Sequence, residues 1–329
     1  MYGICPEFYL TKRRLFIQID PRITRLSFKS KILGVLKSFY IYLPPGYNEP
    51  QNQVLKYPVL YLFRGHEREW VNLHEDKSRE GRSIVDVYLQ ALEQGQVGPM
   101  ILVCPGITSD DQRVPGLLVN FKQPELAKGS RGVGTGQFQD FFISELIPYV
   151  DRNYRTAGAA HRAVDGFSLG GFQAIKIAAQ YPGMFVSAGA YDGTFFYADP
   201  TGAEVSQADA LFRAGLFDPV FGRPRDFTFA ARHNPANLIL NSSPEALSRV
   251  FWMVQTGPEA AEPSDANFYR GRYVAGLLEE KGAANRVPLV IPDGRHNWAT
   301  ADRHMAITLP YHWQALSGTP VLPQTNIVS

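Results

Sequence analysis

A mostly parallel α/β sheet is predicted by three observations. Short apolar runs are bounded by Gly and Pro, segments of helical period lie between them, and one run passes into a helix through a glycine-framed serine. Leu36 to Leu43 is rich in aromatic and β-branched residues and stops at Pro44-Pro45-Gly46. Tyr57 to Phe63 and Pro99 to Cys104 are continuous apolar runs, the pattern of strands buried on both faces. Arg162 to Asp165 leads into the glycine-framed serine, and Phe185 to Ala190, Val250 to Thr256 and Val287 to Ile291 complete the strand candidates. Phe138, Phe141, Phe142, Ile143 and Leu146 recur at helical spacing; Ser83 to Glu93, Gly170 to Gln180, Asp265 to Lys281 and Ala301 to Leu316 read the same way. Alternation of this kind implies helices on both faces of the sheet and ligands at the C-terminal ends of the strands.

Two stretches interrupt the alternation. Residues of about 105–136 are rich in Gly, Pro and polar side chains, and those of about 195–248 are aromatic and carry Pro200, Pro219, Pro224 and Pro235. Both follow strand candidates and are read as irregular insertions that wall a cleft. The chain is therefore divided into an N-terminal extension (1–26), a single domain (27–316) and a loose C-terminal tail (317–329).

Composition narrows the partners. Of 329 residues, 45% are hydrophobic and 19% charged, the balance of a globular protein with ample core. A net charge of +2 gives no reason to expect nucleic acid or an anionic membrane. No apolar run reaches the roughly 18 residues of a membrane span. Lys12, Arg13 and Arg14 follow a short mixed stretch instead of preceding an apolar one, unlike a secretory leader. With Met1 at the start, the expectation is cytoplasmic, or secreted if a leader has been removed. Cys5 and Cys104 have no metal-type spacing and are expected to be free thiols. Homo-oligomerisation is left open.

The segment Val164-Asp165-Gly166-Phe167-Ser168-Leu169-Gly170-Gly171-Phe172 contains Gly-x-Ser-x-Gly between strand and helix signals. A serine on so sharp a turn has a strained backbone, and glycines are needed where a Cβ would strike the neighbouring strand. This is the nucleophile elbow of an α/β-hydrolase fold, which displays Ser168 at the mouth of the sheet with the Leu169 amide beside it. A serine hydroxyl needs a base, and seven histidines are present: His66, His74, His161, His233, His296, His304 and His312. The chain order Ser, acid, His removes the first three. His296 lies in a polar loop between the last strand candidate and the last helix, where a base belongs; His304 and His312 fall inside that helix and read as packing or surface residues. The acid is expected after the strand Val250 to Thr256. Glu259 is the first carboxylate there, with Glu262 and Asp265 as competitors. A second oxyanion donor is expected from Phe63-Arg64-Gly65-His66, through the His66 amide. His66 and His74 lack zincin spacing, so no metal and no cofactor is expected.

With Tyr40-Ile41-Tyr42-Leu43-Pro44-Pro45-Gly46-Tyr47, Tyr57 to Leu62, Glu145-Leu146-Ile147-Pro148 and Gly294-Arg295-His296-Asn297-Trp298 added to the elbow, residues 27 to 316 resemble the esterase branch of the α/β-hydrolases. That branch holds feruloyl esterases, enterobactin-type esterases, S-formylglutathione hydrolases and mycolyltransferases. The resemblance implies hydrolysis of a small-molecule or polymer-linked carboxylic ester by a Ser-acid-His triad, without metal or cofactor. Two departures bear on the substrate. Arg64 stands where the family has His or Asp, and Tyr191-Asp192-Gly193 stands where it often has a small Ser-Gly pair. Eight aromatic residues from Phe195 to Phe229 read either as an apolar acyl pocket or as internal packing. An acyltransferase using the same acyl-enzyme and a catalytically silent binding protein are the alternative functions.

Overall fold

The computed structural model describes residues 17–127, 129–199, 212 and 214–318. Cys5, most of the N-terminal extension and most of the C-terminal tail lie outside the described residues, as does the part of the second insertion at 200–211 and 213. Seven strands form one sheet: β1 (Thr24–Lys29), β2 (Leu36–Tyr42), β3 (Val59–Phe63), β4 (Ile101–Pro105), β5 (Arg162–Gly166), β6 (Ser187–Tyr191) and β7 (Phe251–Gln255), in the order β1-β2-β4-β3-β5-β6-β7. β1 and β2 pair antiparallel, as do β2 and β4; the remaining pairings are parallel. The α/β-hydrolase arrangement expected from the sequence is the one observed. β1 alternates polar and apolar residues at an exposed edge and lacked the apolar run that marked the others. Val287 to Ile291 makes only isolated bridges, Thr256 with Val290 among them, so it skirts β7 without forming a strand.

Period-two alternation assigns each face. On β3, Val59, Tyr61 and Phe63 enter one buried cluster while Leu60 and Leu62 enter the other. Four helices matter for the site: α1 (Ile84–Glu93), α2 (Leu169–Gln180), α3 (Phe268–Glu280) and α4 (Trp298–Ser317). α1 and α4 cover the face of Leu62 and Cys104; α2 and α3 cover the other. Ser83 caps α1 with a reciprocal bond from Asp86, satisfying amides that no helical carbonyl reaches. The segment from Phe138 to Asn153 is helical throughout but widens to π geometry over Phe141–Leu146. There Phe142 meets Tyr61 and Phe63 edge-on at 5.3 and 5.2 Å.

The aromatic excess of the second insertion proves to be internal packing. Phe195, Phe196, Phe212, Phe217 and Phe221 are all buried. Phe196 lies 5.3 Å from Phe172 on α2 and 5.2 and 5.5 Å from Phe212 and Phe217, so these rings anchor the insertion to the elbow helix.

Phe142→Ala removes a fully buried ring whose neighbours belong to the central strand. It is expected to lower stability by about 3–5 kcal/mol. Equilibrium denaturation should show this as a lower midpoint at an unchanged slope.

Candidate active site

Ser168 sits at the turn between β5 and α2 with φ +59° and ψ −118°, a conformation that only a crowded, over-determined site sustains in a residue with a side chain. The surroundings show what enforces it. A Cβ on Gly166 would run into the backbone of Gly170, and one on Gly170 into the Phe63 carbonyl of β3. The turn is tied to its neighbours by Ser168 N donating to Tyr191 O at 2.9 Å and Thr194 N donating to Ser168 O at 3.1 Å. The Leu169 amide, first in α2, donates to no acceptor among the described residues and lies at the positive end of the helix.

His296 is positioned by its backbone and its ring. Its amide donates to Asp265 O at 2.8 Å, and the preceding carbonyl, of Arg295, accepts from Tyr191 Oη at 2.7 Å. Its ring lies 4.8 Å from that of Phe167, the residue before Ser168. Trp298, two residues on, packs edge-on against Phe167 at 5.3 Å and Trp70 at 5.0 Å, with the Arg79 guanidinium 4.5 Å above it. Arg79 is buried and grips Asp302 on α4 through two bonds of 3.1 and 2.8 Å. The tryptophan of the Gly-x-His-x-Trp signal thus wedges the histidine loop against the elbow.

The carboxylate on His296 is Asp192, not Glu259. His296 Nδ1 stands 2.5 Å from Asp192 Oδ2. Asp192 follows β6 directly, is fully buried, and adopts φ +47°, a left-handed turn that aspartate tolerates better than most residues. Its amide donates to Gln255 O of β7 at 2.8 Å. Its other oxygen, Oδ1, accepts from Asn267 N at 2.8 Å, and Asn267 Nδ2 donates to the Asp192 carbonyl at 3.0 Å. Asn267 immediately precedes α3, so the buried charge also faces a helix N-terminus.

The three carboxylates expected after β7 have other partners. Glu259 is exposed and accepts from Tyr269 Oη at 2.6 Å; Glu262 accepts from Phe268 N at 2.5 Å; Asp265 pairs with Arg295 Nη1 at 2.7 Å. The loop after β7 therefore holds the histidine loop through a backbone carbonyl and a surface ion pair. The sequence signal for Asp192 was present in Tyr191-Asp192-Gly193, the acid standing where the resemblance leads one to expect a small residue.

The expected second oxyanion donor also needs correcting. His66 N donates to Glu69 Oε1 at 2.5 Å, closing a turn of the kind made when a glutamate three residues on caps a helical start. That amide is occupied. A Cβ on Gly65 would come within 2.8 Å of the same carboxylate oxygen. Arg64 stacks over Phe167 at 4.7 Å, with Nε 3.4 Å from Glu69 Oε2, so its departure from the family residue puts a cation beside the elbow. Burial, helped by nearby cations, pushes the His66 and His233 rings down to about 3. Both His304 and His312 are buried, and neither is a surface residue.

Comparison with known proteins agrees with this architecture. Residues 30–213, more than half of the chain, match the family described as "Putative esterase". The chain belongs to that family. An esterase of Mycobacterium tuberculosis is 32% identical over 175 residues, which cover 53% of this esterase-family chain and 33% of the mycobacterial protein. An endo-1,4-beta-xylanase/feruloyl esterase of Xylanibacter ruminicola is 30% identical over 168 residues, covering 50% of this chain and 20% of that protein. The chain thus spans a third or less of the length of these curated relatives. Among solved structures, an S-formylglutathione hydrolase from Agrobacterium tumefaciens superposes with a TM-score of 0.60 at 19% identity, over 90% of this chain and 95% of the other. Among the described residues no helix is long and apolar enough to cross a membrane.

Gly170→Ala tests the crowding at the elbow of this esterase-family chain. Its methyl group meets a backbone carbonyl that cannot rotate away, so the turn must open. Reaction with a fluorophosphonate probe is expected to fall at least 100-fold in folded protein, consistent with losing a preorganised donor and a positioned nucleophile.

Proposed function

We propose that the chain is a carboxylic ester hydrolase working through an acyl-enzyme on Ser168, with His296 as general base and Asp192 as the acid that orients it. The observation that carries this reading is the short bond between His296 Nδ1 and the buried Asp192 carboxylate, in a loop packed against the strained elbow of Ser168. With Nδ1 donating to Asp192, His296 Nε2 is left with a lone pair to take the Ser168 proton as Oγ attacks the ester carbonyl. The imidazolium so formed is stabilised by the carboxylate, then returns the proton to the departing alkoxide. Water repeats the cycle to release the acid. Among the described residues, the Leu169 amide is the donor at the elbow left to receive the carbonyl oxygen as it gains charge.

Membership of an esterase family supports the reaction class, and the feruloyl esterase activity of the Xylanibacter relative supports an ester of an aromatic acid as the first substrate class to test. The buried phenylalanine cluster of the second insertion packs within itself and against α2, so it is not counted in favour of an acyl pocket.

Ser168→Ala is expected to fold normally and to lose three or more orders of magnitude in turnover of an aryl ester. Retained activity, or probe labelling elsewhere, contradicts the assignment. Asp192→Asn is expected to reduce kcat by about 10⁴, because an amide favours the wrong tautomer of the histidine, while Glu259→Gln leaves kcat within twofold of wild type. The opposite ranking would return the acid to the loop after β7.

A further inference from the structure

Beneath the proposed triad lies a second set of polar side chains that the chemistry does not use. Asp165, three residues before Ser168 on β5, is fully buried. Its carboxylate meets four donors. His304 Nε2 lies 3.0 and 3.2 Å from its two oxygens, His312 Nε2 lies 2.9 Å from Oδ2, Thr308 Oγ1 donates at 3.1 Å, and Gly166 N donates at 2.6 Å. His304, Thr308 and His312 are spaced by four residues along α4 and so present one face. A Cβ on Gly189 of β6 would collide with the same carboxylate, which shows how closely β6 is laid against it.

The remaining ring nitrogens extend the cluster. His304 Nδ1 lies 2.9 Å from Gln255 Oε1, and the orientation of that amide is fixed because its Nε2 donates to Pro288 O at 2.9 Å. Both nitrogens of His304 therefore face acceptors, and both must carry hydrogen for these contacts to be bonds. His312 Nδ1 faces Ser187 Oγ at 2.7 Å, a hydroxyl able to donate or accept. A lone buried carboxylate would be pushed upward by burial. Here the charges and hydrogen bonds of His304 and His312 outweigh burial and hold Asp165 well below the usual carboxylate range.

Every element that carries a member of the proposed triad contributes to this cluster. Asp165 is on the strand that leads into Ser168. Ser187 opens β6, which Asp192 follows. His304 and His312 are on the helix that follows His296. Gln255, through its carbonyl, accepts the Asp192 amide. We propose that Asp165 and His304, with His312, are positioning residues that set the separation of Ser168, His296 and Asp192. The proposal rests on the triad reading above. It differs from ordinary core packing in linking polar groups of fixed direction across four elements, so that a shift of any one misplaces the reacting atoms while leaving the substrate-binding walls in place.

The test compares Asp165→Asn, His304→Gln and the double variant, each confirmed folded by circular dichroism and counted by fluorophosphonate titration. Each single variant leaves a partner charge buried alone and is expected to lower kcat for an aryl ester by tens to about 100-fold with KM within twofold of wild type. The double variant removes both charges, keeps amide groups in their places, and is expected to recover at least tenfold over the worse single. A folded Asp165→Asn or His304→Gln with wild-type kcat overturns the proposal, as does a loss confined to KM. If neither single variant folds, His312→Asn carries the test. It severs one contact to Asp165 and the tie to Ser187 while leaving the His304 pair, and is expected to lower kcat several-fold at unchanged KM; wild-type kcat overturns the proposal. Ser168→Ala is measured alongside. If it remains active, the triad reading itself fails; if it is inactive while the cluster variants match wild type, only the positioning role fails.

Discussion

A carboxylate with no access to water must find donors in the protein, and at Asp192 that demand organises the cleft. The donors come from two directions. Asn267 supplies a backbone N–H to the carboxylate from the start of α3 and a side-chain N–H to the Asp192 carbonyl, and His296 supplies Nδ1–H to the carboxylate from the loop before α4. Meeting the demand brings the start of one helix and the approach to another to the end of β6. It also fixes which histidine nitrogen carries the hydrogen and leaves Nε2 with its lone pair. The bonds from Asp265 O to His296 N and from Tyr191 Oη to Arg295 O hold the histidine loop at the distance this pairing requires.

The elbow supplies the opposing constraint. Gly166 and Gly170 allow β5, α2 and β3 to approach until no side chain fits between their backbones, and Ser168 takes the strained conformation that remains. Such strain is sustained by surrounding packing. Here the sustaining layer includes the Phe167–Trp298–Trp70 stack and the phenylalanines that bind the second insertion to α2. Phe167, next to Ser168, touches both the His296 ring and Trp298. The Arg79–Asp302 pair clamps that stack from outside.

Much of this was legible before any coordinates. Continuous apolar runs marked β3 and β4, strands buried on both faces, and apolar or aromatic enrichment or the lead into the elbow marked four more; β1, an exposed antiparallel edge, carried no such signal. The elbow was readable because its glycines are demanded by backbone contacts that leave no alternative residue. The His296 loop is legible from its place between the last strand candidate and the last helix. Its contact with Asp192 is not legible, because chain order alone does not say which strand carries the carboxylate that meets it, and the loop after β7 offers three. What decides the matter is the direction in which Asp192 points after a left-handed turn, and direction is a property of the folded chain. The partner of the His66 amide is hidden in the sequence for a similar reason. A glutamate three residues on competes for it, and only the closed turn shows the competition won. His304 and His312 sit at helical spacing with an apolar pattern around them. Nothing local to α4 announces that Asp165, on a distant strand, makes that face polar.

The account stands on the bond between His296 and Asp192, and proton NMR of the folded protein observes that bond directly. A hydrogen held between imidazole Nδ1 and a buried carboxylate at this separation resonates far downfield of ordinary amide protons. The account predicts such a resonance, assigned to His296 by selective labelling, present in wild type and in Glu259→Gln and absent from Asp192→Asn. A resonance that survives Asp192→Asn and disappears in Glu259→Gln would contradict it.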